Sequence, residues 1–333
     1  MPTTAPPEAF TDTLESVAAS IAARSFSVAY EAAQRIMRSQ SAAQVREAMS
    51  ARETYQLHAY SVLALLMMGM AREAAAELAD LGPLDTPGAP VPFLLQYLDA
   101  VAPLQTDAKL APDRLYALYW HCERQRSNNS NSSSSSSSSS SGENTASVDQ
   151  AEWDRRETLV LRTAAARHLA LRQPQLAALA LERVVALAPT DARALTELGK
   201  VHYMLGSRDA CCALLAEAAR HTPPGAAAAA ALNRTLLLLA DGRDADALAQ
   251  MRPHATGAGG VLANNAAVCH MFCGELDAAL GVFRAAVDAA PAAVSDATRS
   301  NMCILFDLTS SRPEVLKKQL RDQIHKGKEL AKL

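Results

Sequence analysis

Residues 192–225 read ARALTELGKVHYMLGSRDACCALLAEAARHTPPG, and this stretch decides the fold. Leu195, Leu198 and Gly199 fall at helical spacing on a first segment, Gly206 interrupts it, and Cys211, Leu215 and Ala218 fall at helical spacing on a second. Pro223 ends the pattern, because proline cannot continue a helix. Moving outward in steps of 34 residues, the pattern starts at Thr158, Ala192, Ala226, Gly260 and Val294. The unit from Gly260 holds Ala263, Ala266, Ala267, Gly274, Ala279, Phe283, Ala286 and Pro291 at matching places, and the unit from Thr158 holds Ala177, Leu181 and Pro189. Small residues recur where paired helices must touch. The unit from Ala226 is degenerate, and Arg252-Pro253 is expected to cut its second helix early. The last unit is expected to end in a basic helix, Glu314 to Leu333, serving as a solubilising cap.

A helix-turn-helix unit of this length resembles the tetratricopeptide repeat. The expected fold class is therefore all-α: a tetratricopeptide-repeat α-solenoid, a right-handed superhelix of antiparallel helix pairs. Such a scaffold is a surface for holding other proteins, so function is sought in partners before chemistry.

Composition agrees. Of the 333 residues 49% are hydrophobic and only 5% aromatic, so the core is built from Ala, Leu and Val, whose small side chains let short helices approach closely. The formal charge of −3 gives no global attraction to nucleic acid or anionic membrane. Met1 to Phe10 shows neither a basic start nor an apolar stretch, so no secretory leader is expected. The longest apolar run, Val62 to Ala71, is too short to span a bilayer. Six cysteines without framework spacing point to free thiols in a reducing cytosolic compartment.

The expected organisation is a disordered start over 1–10, a helical, repeat-like region over 11–126, a disordered Ser/Asn-rich linker over 127–151, and the repeat array with its capping helix over 152–333. Within 11–126, Leu14, Val17, Ile21 and Val28 mark two helices or one long one, and Tyr55 to Leu81 reads as a helix pair broken at Gly69. Prolines and glycines from Leu81 to Pro92 enforce a loop, and helices resume over Phe93–Val101 and Asp113–Arg124. Asn128 to Ser141 includes ten consecutive serines, Ser132 to Ser141. Serine brings no apolar surface, so disorder is expected. A phosphorylated tether is one reading; a tolerated expansion of a surface loop is the one favoured, because loops accept length cheaply.

Several histidines and cysteines lie near one another in sequence: His202, Cys211, Cys212, His221, Cys269, His270, Cys273 and Cys303. Cys269 and Cys273, four apart, share a helix face and suit a zinc ion. The paired spacings of closed zinc sites are absent, however, and His168, His202 and His270 occupy one place in three units, where the repeat usually carries a tyrosine ring. They are read as packing residues. No phosphate loop, dinucleotide fingerprint or nucleophile elbow is present, and Gly257, Gly259 and Gly260 follow no strand. No catalytic residue, cofactor or metal ligand is assigned, and the chain is not expected to be an enzyme.

The candidate site is a strip along the first helices, holding Arg162, then Thr196 with Lys200, then Arg234, then Asn264. At a strict stride Lys200 and Arg234 are equivalent and suit an acidic or extended peptide; solvated surface charges are the competing reading. The Lys and Asn set with which chaperone-tail clamps of this repeat family hold peptides is not met, since the corresponding pairs are Arg162 with Ala166 and Thr196 with Lys200.

A more specific likeness rests on Asn264-Asn265-Ala266-Ala267-Val268-Cys269, Gly274-Glu275-Leu276, and Asn301-Met302-Cys303 leading into Asp307-Leu308-Thr309-Ser310-Ser311-Arg312. With Leu81-Gly82-Pro83-Leu84-Asp85 and Val91-Pro92-Phe93, these resemble the subunit 12 family of the trafficking protein particle (TRAPP) complex over most of Tyr55 to Arg321. The resemblance implies a non-catalytic scaffold of a TRAPP III type tether. That tether acts in endoplasmic-reticulum-to-Golgi transport and autophagy, and other subunits activate a Rab-family GTPase. Subunits 8 and 11 are the implied neighbours. The chain would be cytoplasmic, reach membranes of the ER–Golgi intermediate compartment and Golgi only through the complex, and bind no nucleic acid. The long polar region ahead of the helices in animal members has no counterpart here, and the serine insert none in the family. A free-standing co-chaperone or adaptor is the alternative.

Overall fold

One backbone device ends the first helix of pair after pair. At Gly206 the chain enters the left-handed region (φ 78°), the Gly206 N–H donates to Tyr203 O, and the Ser207 N–H donates to His202 O. This pairing satisfies carbonyls that a helix end would otherwise leave open. The same two bonds recur around Arg24, Gly69, Arg172, Gly242 and Gly274, all at positive φ. Glycine adopts that conformation without steric cost; Arg24 (φ 57°) and Arg172 (φ 58°) adopt it against the preference of a side-chain-bearing residue.

The computed structural model describes residues 13–38, 47, 49–84, 90–107, 110, 112–132, 149–223, 227–255 and 260–330. Among them are sixteen α-helices and no strand. They are α1 Leu14–Ala22, α2 Phe26–Arg38, α3 Ala51–Met67, α4 Ala71–Asp80, α5 Phe93–Thr106, α6 Asp113–Ser132, α7 Gln150–Ala170, α8 Pro174–Leu187, α9 Ala192–Met204, α10 Arg208–His221, α11 Ala227–Ala240, α12 Asp244–Ala255, α13 Val261–Phe272, α14 Leu276–Ala289, α15 Asp296–Thr309 and α16 Pro313–Leu330. The expected disordered start, residues 133–148 of the insert and most of the glycine junction after α12 lie outside the described residues.

The chain divides into two compact units, Met1–Val184 and Val185–Leu333, with the boundary inside α8 rather than at the 127–151 stretch. In the first unit, Thr13 and Ser50 close capping boxes on α1 and α3. Pro103 lies inside α5, which runs on to Thr106 instead of stopping near Val101. Proline offers no N–H to Asp99 O, and Arg114 Nη1 reaches that carbonyl at 3.5 Å and Asp99 Oδ1 at 3.3 Å. Helix α6 extends to Ser132, so residues 127–132, read from sequence as linker, are helical. In the second unit, Ala267, Phe283, Val287, Leu305 and Leu320 form a core joining α13 to α16.

The third pair of the array departs from its expected form. Helix α12 passes Pro253 and ends at Ala255, in register with the end of α10. Its shortening lies at the other end: Gly242 arrives two residues late against Gly206, and Gly274 restores the register.

Candidate interaction surface on the first helices

The first unit contains a buried ionic cluster joining α6, α7 and α8. Glu157 on α7 is fully buried, with Arg183 Nε donating to its Oε1 at 3.1 Å and Arg126 Nε 3.0 Å from its Oε2. Arg126 faces Oε2 as a charge neighbour without hydrogen-bond alignment, and Arg183 also reaches Glu123 at 3.3 Å. Burial pushes the Glu157 carboxyl above the ordinary carboxylate range in spite of the two guanidinium groups. These groups pack against one another and leave no open position, so the cluster acts as a tie between helices. Arg167 makes a second tie, donating to Asp107 O at 2.9 Å and to Leu110 O at 2.8 and 2.9 Å, which fixes the α5–α6 connection.

The histidines read from sequence as packing residues prove to be helix-end latches. His168 Nδ1 pairs with Gln173 Oε1 at 2.9 Å and its Nε2 with Tyr116 Oη at 2.9 Å. His270 Nδ1 pairs with Glu275 Oε2 at 2.7 Å, again five residues on. At His202 the matching residue is the shorter Ser207, and the buried Nδ1 has no partner. Among the described residues no three His, Cys, Asp or Glu side chains converge as a metal site would require. Burial pushes the Cys122 thiol up to about 12 and that of Cys269 up to about 11, so both stay protonated and are poor nucleophiles.

The first helices of successive pairs touch through polar side chains. In the first unit, Tyr97 Oη on α5 lies 2.8 Å from Thr163 Oγ1 on α7, and the Arg156 guanidinium lies 5.0 Å from the Phe93 ring centre and 4.7 Å from that of Trp153. In the second unit, the Thr196 hydroxyl meets Asn233 Oδ1 at 3.0 Å, joining α9 to α11, and Asn301 Nδ2 donates to Asn264 Oδ1 at 3.0 Å, joining α15 to α13. Beside these rungs the helices stay open: Arg193 and Lys200 are exposed on α9, and Val261 and Phe272 on α13.

The four residues proposed from sequence fall differently. Asn264 is a rung, and Lys200 is exposed one turn beyond the Thr196 rung. Arg162 is partly buried on α7, in the first unit, apart from the other three. Arg234 does not repeat the placement of Lys200. Its Nε donates to Gln250 Oε1 on α12 at 3.0 Å, so the side chain lies along its own helix pair. The late turn at Gly242 explains the difference: counted back from the turn, Arg234 lies two residues deeper than Lys200, which is about 200° around a helix.

The sequence reading missed Val261, Val268, Phe272, Ile304 and Leu308. A signal existed. Helix α13, VLANNAAVCHMF, has no Asp, Glu, Lys or Arg and carries apolar residues on two faces, whereas one face suffices for packing.

No protein-family model matches the chain, and no curated protein matches it in sequence. Solved structures do match in fold. A tetratricopeptide repeat protein from Parabacteroides merdae superposes with a TM-score of 0.52 at 12% identity, covering 96% of this chain and 99% of that one. Naa15/Naa10 bound to HypK-THB matches at TM-score 0.35 and 13% identity over 91% of this chain and 43% of that one. The P58(IPK) TPR domain matches at TM-score 0.23 and 11% identity over 96% of both. The chain has an all-α tetratricopeptide-repeat solenoid fold, the architecture of a protein-binding scaffold.

Proposed function

We propose that this chain is a non-catalytic scaffold subunit of a TRAPP III type tethering complex. It supports endoplasmic-reticulum-to-Golgi transport and autophagy, while other subunits carry out Rab GTPase activation. The observation that carries the scaffold reading is the open face beside the Thr196–Asn233 and Asn264–Asn301 rungs, a surface on rigid helices rather than an enclosed chemical site. The finer reading is supported by the likeness of Asn264–Cys269 and Asp307–Arg312 to the subunit 12 family. Subunits 8 and 11 are the proposed partners, with Lys200 and Asn264 contributing contacts in the second unit and Arg162 in the first. Location is cytoplasmic, at the ER–Golgi intermediate compartment and Golgi, with membrane association through the complex. Among the described residues no helix is long and apolar enough to cross a membrane.

Affinity purification of the tagged chain from its own cells, read by mass spectrometry, tests this. Large trafficking subunits should co-purify in constant ratio, and Lys200→Glu should lower one of them while the protein stays folded. A purification that returns chaperones and no trafficking subunit would overturn the assignment.

A further inference from the structure

Helix α13 has an open apolar face as well as a packed one. Ala263, Ala266, Ala267 and Cys269 are buried. Val261, Asn265, Val268 and Phe272, at i, i+4, i+7 and i+11, form a second face, and its two ends are each 63% exposed. Helix α15 adds Ile304 and Leu308, 51% and 62% exposed. The hydrogen bond from Asn301 to Asn264 sets the two ridges side by side. Ile304 and Leu308 lie one and two turns beyond Asn301, while Val261 and Val268 lie one turn to either side of Asn264, so both ridges flank one bond and one furrow.

Building on the scaffold reading, we propose that this furrow receives an amphipathic α-helix of a partner protein, apolar on its inner face and acidic on one flank. Charge selects the flank. Neither ridge offers a charge, and Arg234 on the intervening α11 is bonded to Gln250. A charged inner face would therefore be desolvated without a partner. Towards α9, Arg193 is matched by Glu197 at 2.8 Å, whereas Lys200 stands exposed with no acidic group bonded to it among the described residues, and it suits an acid on the incoming helix. Backbone chemistry selects the helix. An extended peptide brings N–H and C=O groups that need answering. The floor has little to offer them, because Asn301 donates to Asn264 and Asn264 donates to Asn265. A helix satisfies its own backbone, and two parallel helical ridges form the groove into which a third helix packs, at about 8–10 Å between axes.

The test uses a fluorescent stapled peptide of about 18 residues, roughly 27 Å long, with Leu at i, i+4, i+7 and i+11 and Glu along one flank. Two controls share its composition: one scatters the Leu residues around the helix, the other places prolines at its centre. Anisotropy titrations against the full chain should show the stapled peptide binding at least about tenfold tighter than either control. The double variant Phe272→Asp with Leu308→Asp, at two exposed positions, should keep its circular dichroism and melting temperature and lose at least about tenfold in affinity. Lys200→Glu should weaken binding about threefold, and a peptide with Lys in place of Glu should recover it. Equal binding by the proline peptide, no loss in the double variant, or no binding at all would each overturn the proposal. So would a dimer in sedimentation that the double variant dissolves, since a second copy would then fill the furrow. A chain that binds the stapled peptide but co-purifies no trafficking subunit keeps this inference and fails the TRAPP reading.

Discussion

The backbone of Gly327 on α16 lies against Pro291: a Cβ built on Gly327 would stand 2.6 Å from Pro291 Cβ and 3.0 Å from Ala292 N. The capping helix is thereby seated on the short 3₁₀ turn Pro291–Ala293 that follows α14, and Gln323 Nε2 adds a bond to Asp288 Oδ1 at 2.7 Å.

Gly327→Ala should therefore destabilise the protein by about 1–3 kcal/mol, although alanine is the better helix former by about 1 kcal/mol. Gly281→Ala on α14 is the control, because a Cβ there meets nothing within 4 Å, and it should stabilise slightly. Urea unfolding of both variants decides. Equal stabilisation by both would mean that the α16 contact yields freely.

Arg24 and Arg172 hold the left-handed position that glycine holds at four equivalent turns. Both are exposed. Arg24→Gly and Arg172→Gly should each stabilise by about 1 kcal/mol, the cost of that conformation for a residue with a Cβ. A lowered melting temperature in either variant would show that the arginine side chain contributes more than the backbone loses.

The histidine latches should respond unequally. His168→Phe removes bonds to Tyr116 and Gln173 and should cost about 1–3 kcal/mol. His202→Phe removes a buried nitrogen that has no partner and should be neutral or stabilising. Chemical denaturation of the two variants side by side is the measurement, and equal losses would refute the distinction.

Glu157 gives a pH dependence of definite sign. Its folded carboxyl is raised above the unfolded value near 4.5, so its contribution is fullest below that value and is lost as pH rises through the raised one. The unmodified protein should gain stability relative to Glu157→Gln as pH falls from neutrality towards 4.5. A difference that moves the other way would mean that Arg126 and Arg183 outweigh burial.

The helix pairs were legible because their signals are local. Leu195, Leu198 and Gly199 carry a helical period, and Gly206 and Gly274 stop it. Two turns escaped notice because Arg24 and Arg172 carry no turn signal; tertiary packing imposes their conformation. The passage of α12 through Pro253 escaped for a similar reason, since a local breaker was taken as decisive. The strip was only partly legible. Asn264 and Lys200 lie where a constant stride puts them, whereas the late turn at Gly242 moves Arg234 to another face. The exposed ridge of Val268, Phe272, Ile304 and Leu308 was hidden because an apolar residue is read first as core.

The late turn at Gly242 also bears on how such a chain can be edited. The two residues gained before it are given back before Gly274, so neither the α11–α12 pair nor the α13–α14 pair is a standard cassette on its own. Excising or transplanting one of them would leave the remaining joint out of phase, whereas the two moved together would splice cleanly. For recombination, natural or in the laboratory, the exchangeable module in this part of the chain is the double hairpin.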